Sequence, residues 1–222
     1  MFVHLKGSWI MKLSRGIVED GIIVGNVYNK YQTRNPLVKL IMNKYRESLN
    51  GLIEQIKPND IHEVGCGEGY WVIMCNKKGI SARGSDVSEK AIIMAKENAK
   101  AQAVPHTIFT QKNIYNLAYP LDSAELVLCC EVLEHLENPG DALCALSRIA
   151  NPYLILSVPR EPIWSLLNIL RGKYLIDFGN TPGHIQRWSK TDFINLALQH
   201  FEVLTVKSPL PWTMLLCQKR IG

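Results

Sequence analysis

Ile61-His62-Glu63-Val64-Gly65-Cys66-Gly67-Glu68-Gly69-Tyr70-Trp71 is the stretch that decides how this chain folds. A short run of strand-forming residues ends in an acidic residue and breaks into three alternating glycines. An apolar, aromatic-bearing segment of helical character follows. Strand, glycine turn and helix in that order make the first crossover of a nucleotide-binding α/β fold. Glycine is needed where the backbone takes positive φ, or where a ligand must reach the main chain without meeting a Cβ.

Working outward, the same alternation repeats. A helix is expected over 70–78, closed by Gly79, then a strand over 80–85 ending at Asp86. Ser88 caps a helix to about 101, and strands follow at 107–110 and 125–130, the second continuous and apolar as in a buried parallel strand. Asn138-Pro139 opens another helix, a fifth strand covers 153–158, and Ser189 caps a helix to about 199. Segments 201–207 and 213–219 have no helix-length piece between them, so they pair antiparallel. Before the glycine loop, Asn35-Pro36 starts an amphipathic helix with Leu37, Ile41, Tyr45, Leu49, Leu52 and Ile56 on one stripe, ending before Pro58. The expectation is a doubly wound, mostly parallel seven-stranded α/β sheet with an antiparallel terminal strand. Residues 1–57 form an N-terminal segment and helix capping the ligand site, and 58–222 form the binding domain.

The loop itself selects among ligands. A pyrophosphate on a helix N-terminus disfavours nearby negative charge, yet Glu63 and Glu68 bring it here. Tyr70 stands where G-x-G-x-x-G needs its third glycine. A ligand with a cationic amine and no phosphate fits better, and S-adenosylmethionine (SAM) is such a ligand. Asp86, 23 residues after Glu63, ends the second strand where a carboxylate can accept both ribose hydroxyls, or else serves as a turn residue ahead of Ser88. Tyr28, Tyr31 and Trp71 are candidates to wall a cationic sulfonium with aromatic faces.

The stretch Glu63 to Gly69 resembles motif I of the class I SAM-dependent methyltransferases. Glu131-Val132-Leu133-Glu134-His135-Leu136, after the fourth strand, resembles motif IV of the ubiquinone-biosynthesis-type members. Pro182-Gly183-His184-Ile185-Gln186-Arg187-Trp188-Ser189 is similar to a G-H-x-x-x-[WF]-[ST] stretch of that family. The resemblance implies a Rossmann-like methyltransferase fold, SAM as cofactor and methyl transfer as the reaction. The cofactor-binding set then comprises Tyr28, Tyr31, Glu63, Gly65, Cys66, Gly67, Gly69, Asp86, Val87, Asn113, Ile114 and Glu131. Asn113 departs from the acidic residue the family usually places there; it can accept from an adenine amine through its carbonyl oxygen or be a plain loop residue.

The connection 159–188 is too long for a plain crossover. Its segment 163–171 has helical period and a wide apolar face, and the basic residues Arg160, Arg171, Lys173, Arg187 and Lys190 outnumber Glu161 and Asp177. It reads as a lid over an acceptor pocket spanning 160–188, with peripheral membrane contact as a second reading, since apolar plus basic is the interfacial signature. Methyl transfer requires alignment of the acceptor, and an oxygen or nitrogen acceptor adds a call for a base near neutral pKa. His184 and His135 are the candidates, each with a structural alternative: bracing the loop and Trp188, or packing a helix start against the sheet.

The totals exclude several classes. The 222 residues are 47% hydrophobic, enough for a core and too much for disorder. No apolar run approaches the ~20 residues that span a bilayer. Met1 to Met11 lacks the layout of a secretory signal, so the expected location is cytoplasmic, and Met11 is an alternative start. Six cysteines without a C-x-x-C pair and six histidines without ligand spacing point away from disulfides and a zinc site. A net charge of +5 is weak evidence for nucleic acid, and without an RNA-binding module or an N-P-P-Y-type sequence after the fourth strand a small-molecule acceptor ranks above it. The rival readings are an NAD(P)-dependent oxidoreductase and a SAM-binding protein without catalysis.

Overall fold

A computed structural model describes residues 11–14, 18–19, 22–23, 33, 35–172 and 174–220. Its centre is a seven-stranded sheet: β1 (Asp60–Val64), β2 (Ser81–Asp86), β3 (Phe109–Gln111), β4 (Ala124–Cys130), β5 (Ala150–Pro159), β6 (Phe201–Lys207) and β7 (Trp212–Lys219). Across the sheet the order is β3-β2-β1-β4-β5-β7-β6. The β1–β2, β1–β4, β2–β3 and β4–β5 pairs are parallel, and β7 runs antiparallel to both neighbours. The last strand of the chain is thus the reversed one, and it lies inside the sheet, between β5 and β6. Ahead of the sheet, Val18–Glu19 and Ile22–Ile23 form a two-residue antiparallel ladder.

The helices are α1 (Pro36–Ile56), α2 (Tyr70–Lys77), α3 (Glu89–Ala101), α4 (Pro139–Ile149), α5 (Ile163–Leu170) and α6 (Lys190–Leu198). Local chemistry sets their ends. Asn35 Oδ1 accepts from the amides of Leu37 and Val38 at 3.0 and 3.3 Å, with Pro36 at the first turn, and Lys57 closes α1 in the left-handed region ahead of Pro58. Ser88 Oγ accepts from Ala91 N at 3.0 Å, and Ser189 Oγ from Asp192 N at 3.2 Å.

Period-2 alternation sends neighbouring residues of β4 to opposite cores. Leu126 and Leu128 join Tyr45, Leu49 and Leu52 of α1, Ile73 of α2 and Ile92 and Ala95 of α3. Val127 and Cys129 join Leu143 and Leu146 of α4 and Phe193 and Ala197 of α6. Each fully buried leucine contributes roughly 1.5–3 kcal/mol relative to exposure. Crossovers from β1 and β4 leave on opposite faces, so these adjacent strands flank the switch point, where open α/β sheets bind ligands.

The third strand is the main departure from expectation. Pro105 leads into a 3-10 turn, His106–Ile108, and β3 starts only at Phe109. The proline fixes φ and withholds an N–H, which favours the tight turn over an early ladder.

Candidate active site

The three loop glycines all have positive φ, 76° at Gly65, 51° at Gly67 and 83° at Gly69. A Cβ at Gly65 would lie 2.2 Å from Val132 Cγ2, whereas a Cβ at Gly67 would meet nothing within 4 Å. Gly67 therefore leaves open space for a ligand to approach the backbone. Four of the loop amides are paired within the protein. Gly65 N and Cys66 N donate to Ser85 O at 2.8 and 3.0 Å, and Gly69 N to Cys66 O at 2.9 Å. Gly67 N donates to Asp86 Oδ2 at 2.9 Å. A pyrophosphate cradle needs such amides turned toward the ligand. Here those of Gly65, Cys66 and Gly67 are spent on β2, and that of Gly69 on Cys66 O.

Asp86 is the centre of this arrangement. Its Oδ1 accepts from Ser88 N at 2.9 Å, so one carboxylate oxygen braces the glycine loop and the other the turn into α3, each keeping a further lone pair. Burial pushes its carboxyl above the ordinary range, against the opposing pull of the Ser88 and Gly67 amides. Glu63, at the end of β1, is buried. Cys66 is buried too, its thiol pushed well up by burial with Asp86 and Glu63 adding, so it packs and does not react. Val87 is half exposed beside the loop, and Ile114 is buried behind Asn113.

Glu68 departs from its expected place. Glu68 does not face the ligand: it is buried, and accepts from Ser14 N at 3.2 Å and Ser14 Oγ at 2.9 Å. Asn98 of α3 completes the anchor, donating to Glu68 O at 3.0 Å and Lys12 O at 3.1 Å while accepting from Lys12 N at 2.8 Å. Asn113 is exposed, and its Oδ1 caps a 3-10 turn by accepting from Tyr115 N at 3.0 Å. Trp71 is a core residue, edge-on to Tyr70 and tilted against Tyr45, and does not wall the site. Tyr28 and Tyr31 lie outside the described residues.

Glu131, the residue after β4, lies in the left-handed region, φ 60°, a conformation that costs a non-glycine residue roughly 1–3 kcal/mol and clusters at functional sites. Its side chain accepts from Ser157 Oγ at 3.2 Å and from Trp212 Nε1. Ser157 Oγ is in turn 2.7 Å from Tyr45 OH, so α1, β5 and β7 meet here. From Tyr45 a file of rings crosses the edge of the sheet. Tyr45 and Trp212 are edge-to-face at 4.9 Å, Trp212 and Trp164 tilted at 5.8 Å, Trp164 and His184 stacked at 5.9 Å, and His184 and His135 edge-to-face at 5.0 Å. The structure thus brings the two sequence-predicted histidines together.

The connection after β5 is cross-braced. Ser165 Oγ donates to Glu161 Oε1 at 2.8 Å and receives Arg187 Nη2 at 2.9 Å, and Asn168 Nδ2 donates to Gly179 O at 2.8 Å. Trp164 Nε1 donates to Thr181 Oγ1 at 2.9 Å. Helix α5 buries Ser165 and Asn168 and turns its apolar side outward: Leu170 is 74% exposed, and in the following turn Ile176 is 92% and Phe178 80% exposed.

Comparison with known proteins shows what this chain is similar to. Residues 62–156 match a family model described as a methyltransferase domain. The ubiquinone biosynthesis O-methyltransferase of Alkalilimnicola ehrlichii is 30% identical over 162 residues, 65% of this chain and 63% of that protein. Its counterpart from Methylococcus capsulatus is 28% identical over 149 residues, 61% and 62% of the two chains. Magnesium protoporphyrin IX methyltransferase from Synechocystis, solved with bound SAH, superposes with a TM-score of 0.63 at 20% identity, over 85% of this chain and 90% of that one. Over this span the chain is similar to SAM-dependent methyltransferases. It spans less than two thirds of the length of the curated relatives above. The residues of this site that sequence reasoning missed are Tyr45, Ser157, Trp164 and Trp212. The pattern offered a signal only for Tyr45, as a stripe residue of α1, and none for its hydroxyl contact with Ser157.

Proposed function

We propose that the chain binds SAM over the loops after β1, β2 and β3 and methylates a small-molecule acceptor seated against the Trp164–Trp212–His184 wall. The carrying observation is the glycine loop whose Gly65, Cys66 and Gly67 amides are turned onto Ser85 and Asp86 of β2, beside an open backbone at Gly67. That geometry rejects a pyrophosphate and admits the uncharged ribose and the cationic amine of SAM, which supplies a methyl group on a sulfonium.

In this reading Asp86 accepts from the ribose hydroxyls, Glu63 and the Gly65 to Gly69 loop border the amine, and Val87, Asn113 and Ile114 border the adenine. Glu131 presents strained backbone toward the methionine end, with its side chain held by Ser157 and Trp212. Residues 11–14, pinned to Glu68 and Asn98, close the N-terminal side. The aromatic wall excludes water and aligns the acceptor, while His135 and His184 stand where an acceptor oxygen or nitrogen is activated.

The acceptor is partly apolar in this reading. The outward face of α5 and the Leu175–Phe178 turn, with Arg171 nearby, supports meeting it at a lipid surface. Among the described residues, no helix is long and apolar enough to cross a membrane.

Calorimetric titration with SAM, with NAD(P) as comparison, followed by labelled-methyl transfer to hydroxylated aromatic acceptors, tests the proposal. Binding of NAD(P) without SAM overturns it. Tight SAM binding with no transfer to any acceptor class leaves a binding protein.

A further inference from the structure

Glu131 follows β4, and three further elements fix where its carboxylate stands. Its Oε1 accepts from Ser157 Oγ of β5 at 3.2 Å, and its Oε2 accepts from Trp212 Nε1 of β7. Ser157 Oγ lies 2.7 Å from Tyr45 OH of α1; because the serine donates to Glu131, it accepts from the tyrosine. Tyr45, Ser157 and Trp212 are buried, with the two rings edge-to-face at 4.9 Å. Protein donors thus hold a half-buried carboxylate against aromatic rings, at the backbone cost of a left-handed φ.

A carboxylate beside aromatic rings receives a positive charge well. We infer that Glu131 is the counter-charge of the SAM sulfonium, positioned by Tyr45, Ser157 and Trp212, so that the site tells the charged cofactor from its neutral product. This rests on the SAM-binding reading above, which brings the methionine end to Glu131. The count of charges supports it. SAM carries two positive centres, the amine and the sulfonium. The adjacent strands β1 and β4 present two glutamates at their carboxyl ends, Glu63 and Glu131. Between these charges the Cys130 thiol stays neutral. Burial pushes it up to about 12, with the Glu63 charge and, more weakly, the Glu131 charge adding, against hydrogen bonds from Tyr45 and Ser157.

Methyl transfer leaves the carbon–sulfur bonding pair on sulfur and turns the sulfonium into a thioether. The positive charge opposite Glu131 disappears, and the attraction goes with it. At an effective dielectric of about 20, a contact pair of unit charges is strong enough for about a tenfold or larger difference in affinity, of which desolvation takes back part. SAH is therefore held less firmly than SAM, which favours release of the spent cofactor.

Calorimetric titration of the full chain with three ligands tests this. They are SAM, SAH and sinefungin, whose amine carries a positive charge in place of the sulfonium. Glu131→Gln should weaken SAM and sinefungin about tenfold and SAH by less than about twofold. Trp212→Phe, which keeps a ring but removes a donor, and Ser157→Ala should move the SAM-to-SAH ratio the same way by smaller factors. A purely structural role would lower all three affinities together, and that result overturns the inference. So does a Glu131→Gln protein that keeps the wild-type SAM affinity. Should Glu131→Gln fail to fold, the ratio in Trp212→Phe and Ser157→Ala decides. Wild-type protein that binds none of the three removes the cofactor reading itself, whereas binding with an unchanged ratio in the variants removes only this inference.

Discussion

Val132 occupies the space that a side chain at residue 65 would need: a Cβ on Gly65 would stand 2.2 Å from Val132 Cγ2. This contact locks the loop after β1 to the loop after β4 across the switch point, and Gly65 also holds φ at 76°. Gly65→Ala is expected to cost about 1–2 kcal/mol from the left-handed backbone alone, with overpacking adding roughly 1–3 kcal/mol. Val132→Ala in the same chain should recover the overpacking part only. Urea unfolding of the two single variants and the double variant measures both parts. A Gly65→Ala protein as stable as the parent would refute the packing described.

Asp86 binds two loop amides and, in the proposed function, the ribose. Asp86→Ala should weaken SAM binding by about 1.5–3 kcal/mol, the range for hydrogen bonds to a charged group, and lower the melting temperature modestly through the lost Gly67 and Ser88 contacts. Calorimetry on the folded variant gives the answer. Unchanged affinity would remove Asp86 from the cofactor site and leave it a brace.

Asn113 caps Tyr115 N through Oδ1, a bond aspartate makes equally well. Asn113→Asp should therefore keep the fold and keep or tighten SAM binding, if the side chain accepts from the adenine amine. A loss of about tenfold, some 1.4 kcal/mol, would mean the amide donates instead.

His62 gives the fold a pH dependence. It is buried in β1, with Nδ1 2.7 Å from Asp122 O and Nε2 2.9 Å from Ser85 Oγ. Burial pushes its pKa from 6.5 to about 4, with the Asp122 carbonyl opposing and the Arg83 charge assisting. Above pH 6.5 neither state carries the proton and stability is full. As pH falls from 6.5 toward 4, the unfolded chain takes up a proton that the folded one refuses, so stability declines by up to about 3 kcal/mol. Urea unfolding across that window should show the decline, and His62→Gln should flatten it. An equal slope in the variant would place the proton uptake elsewhere.

The chain's local hydrogen bonding and periodicity were readable from sequence because both are set within a few residues. Asn35-Pro36, Ser88 and Ser189 start helices by satisfying amides two or three positions on. The glycines at 65, 67 and 69 announce positive φ, and the apolar run of β4 announces burial on both faces. Order along the chain then dictated which strands run parallel. The direction of each side chain at the strand ends was decided only in three dimensions, because its partner comes from a distant segment. The Glu68 side chain turns to Ser14 rather than to the ligand, while Asn98 holds its backbone carbonyl. Ser157 of β5, Tyr45 of α1 and Trp212 of β7 converge on Glu131, and no spacing in the sequence relates them. His135 and His184, which showed no ligand spacing along the chain, meet because the connection after β5 folds back and hydrogen-bonds to the backbone of Glu134. Helix α5 carries the period of a packed helix yet buries its serine and asparagine, since Glu161, Arg187, Gly179 and Thr181 supply polar partners beneath it and leave the apolar side to the exterior.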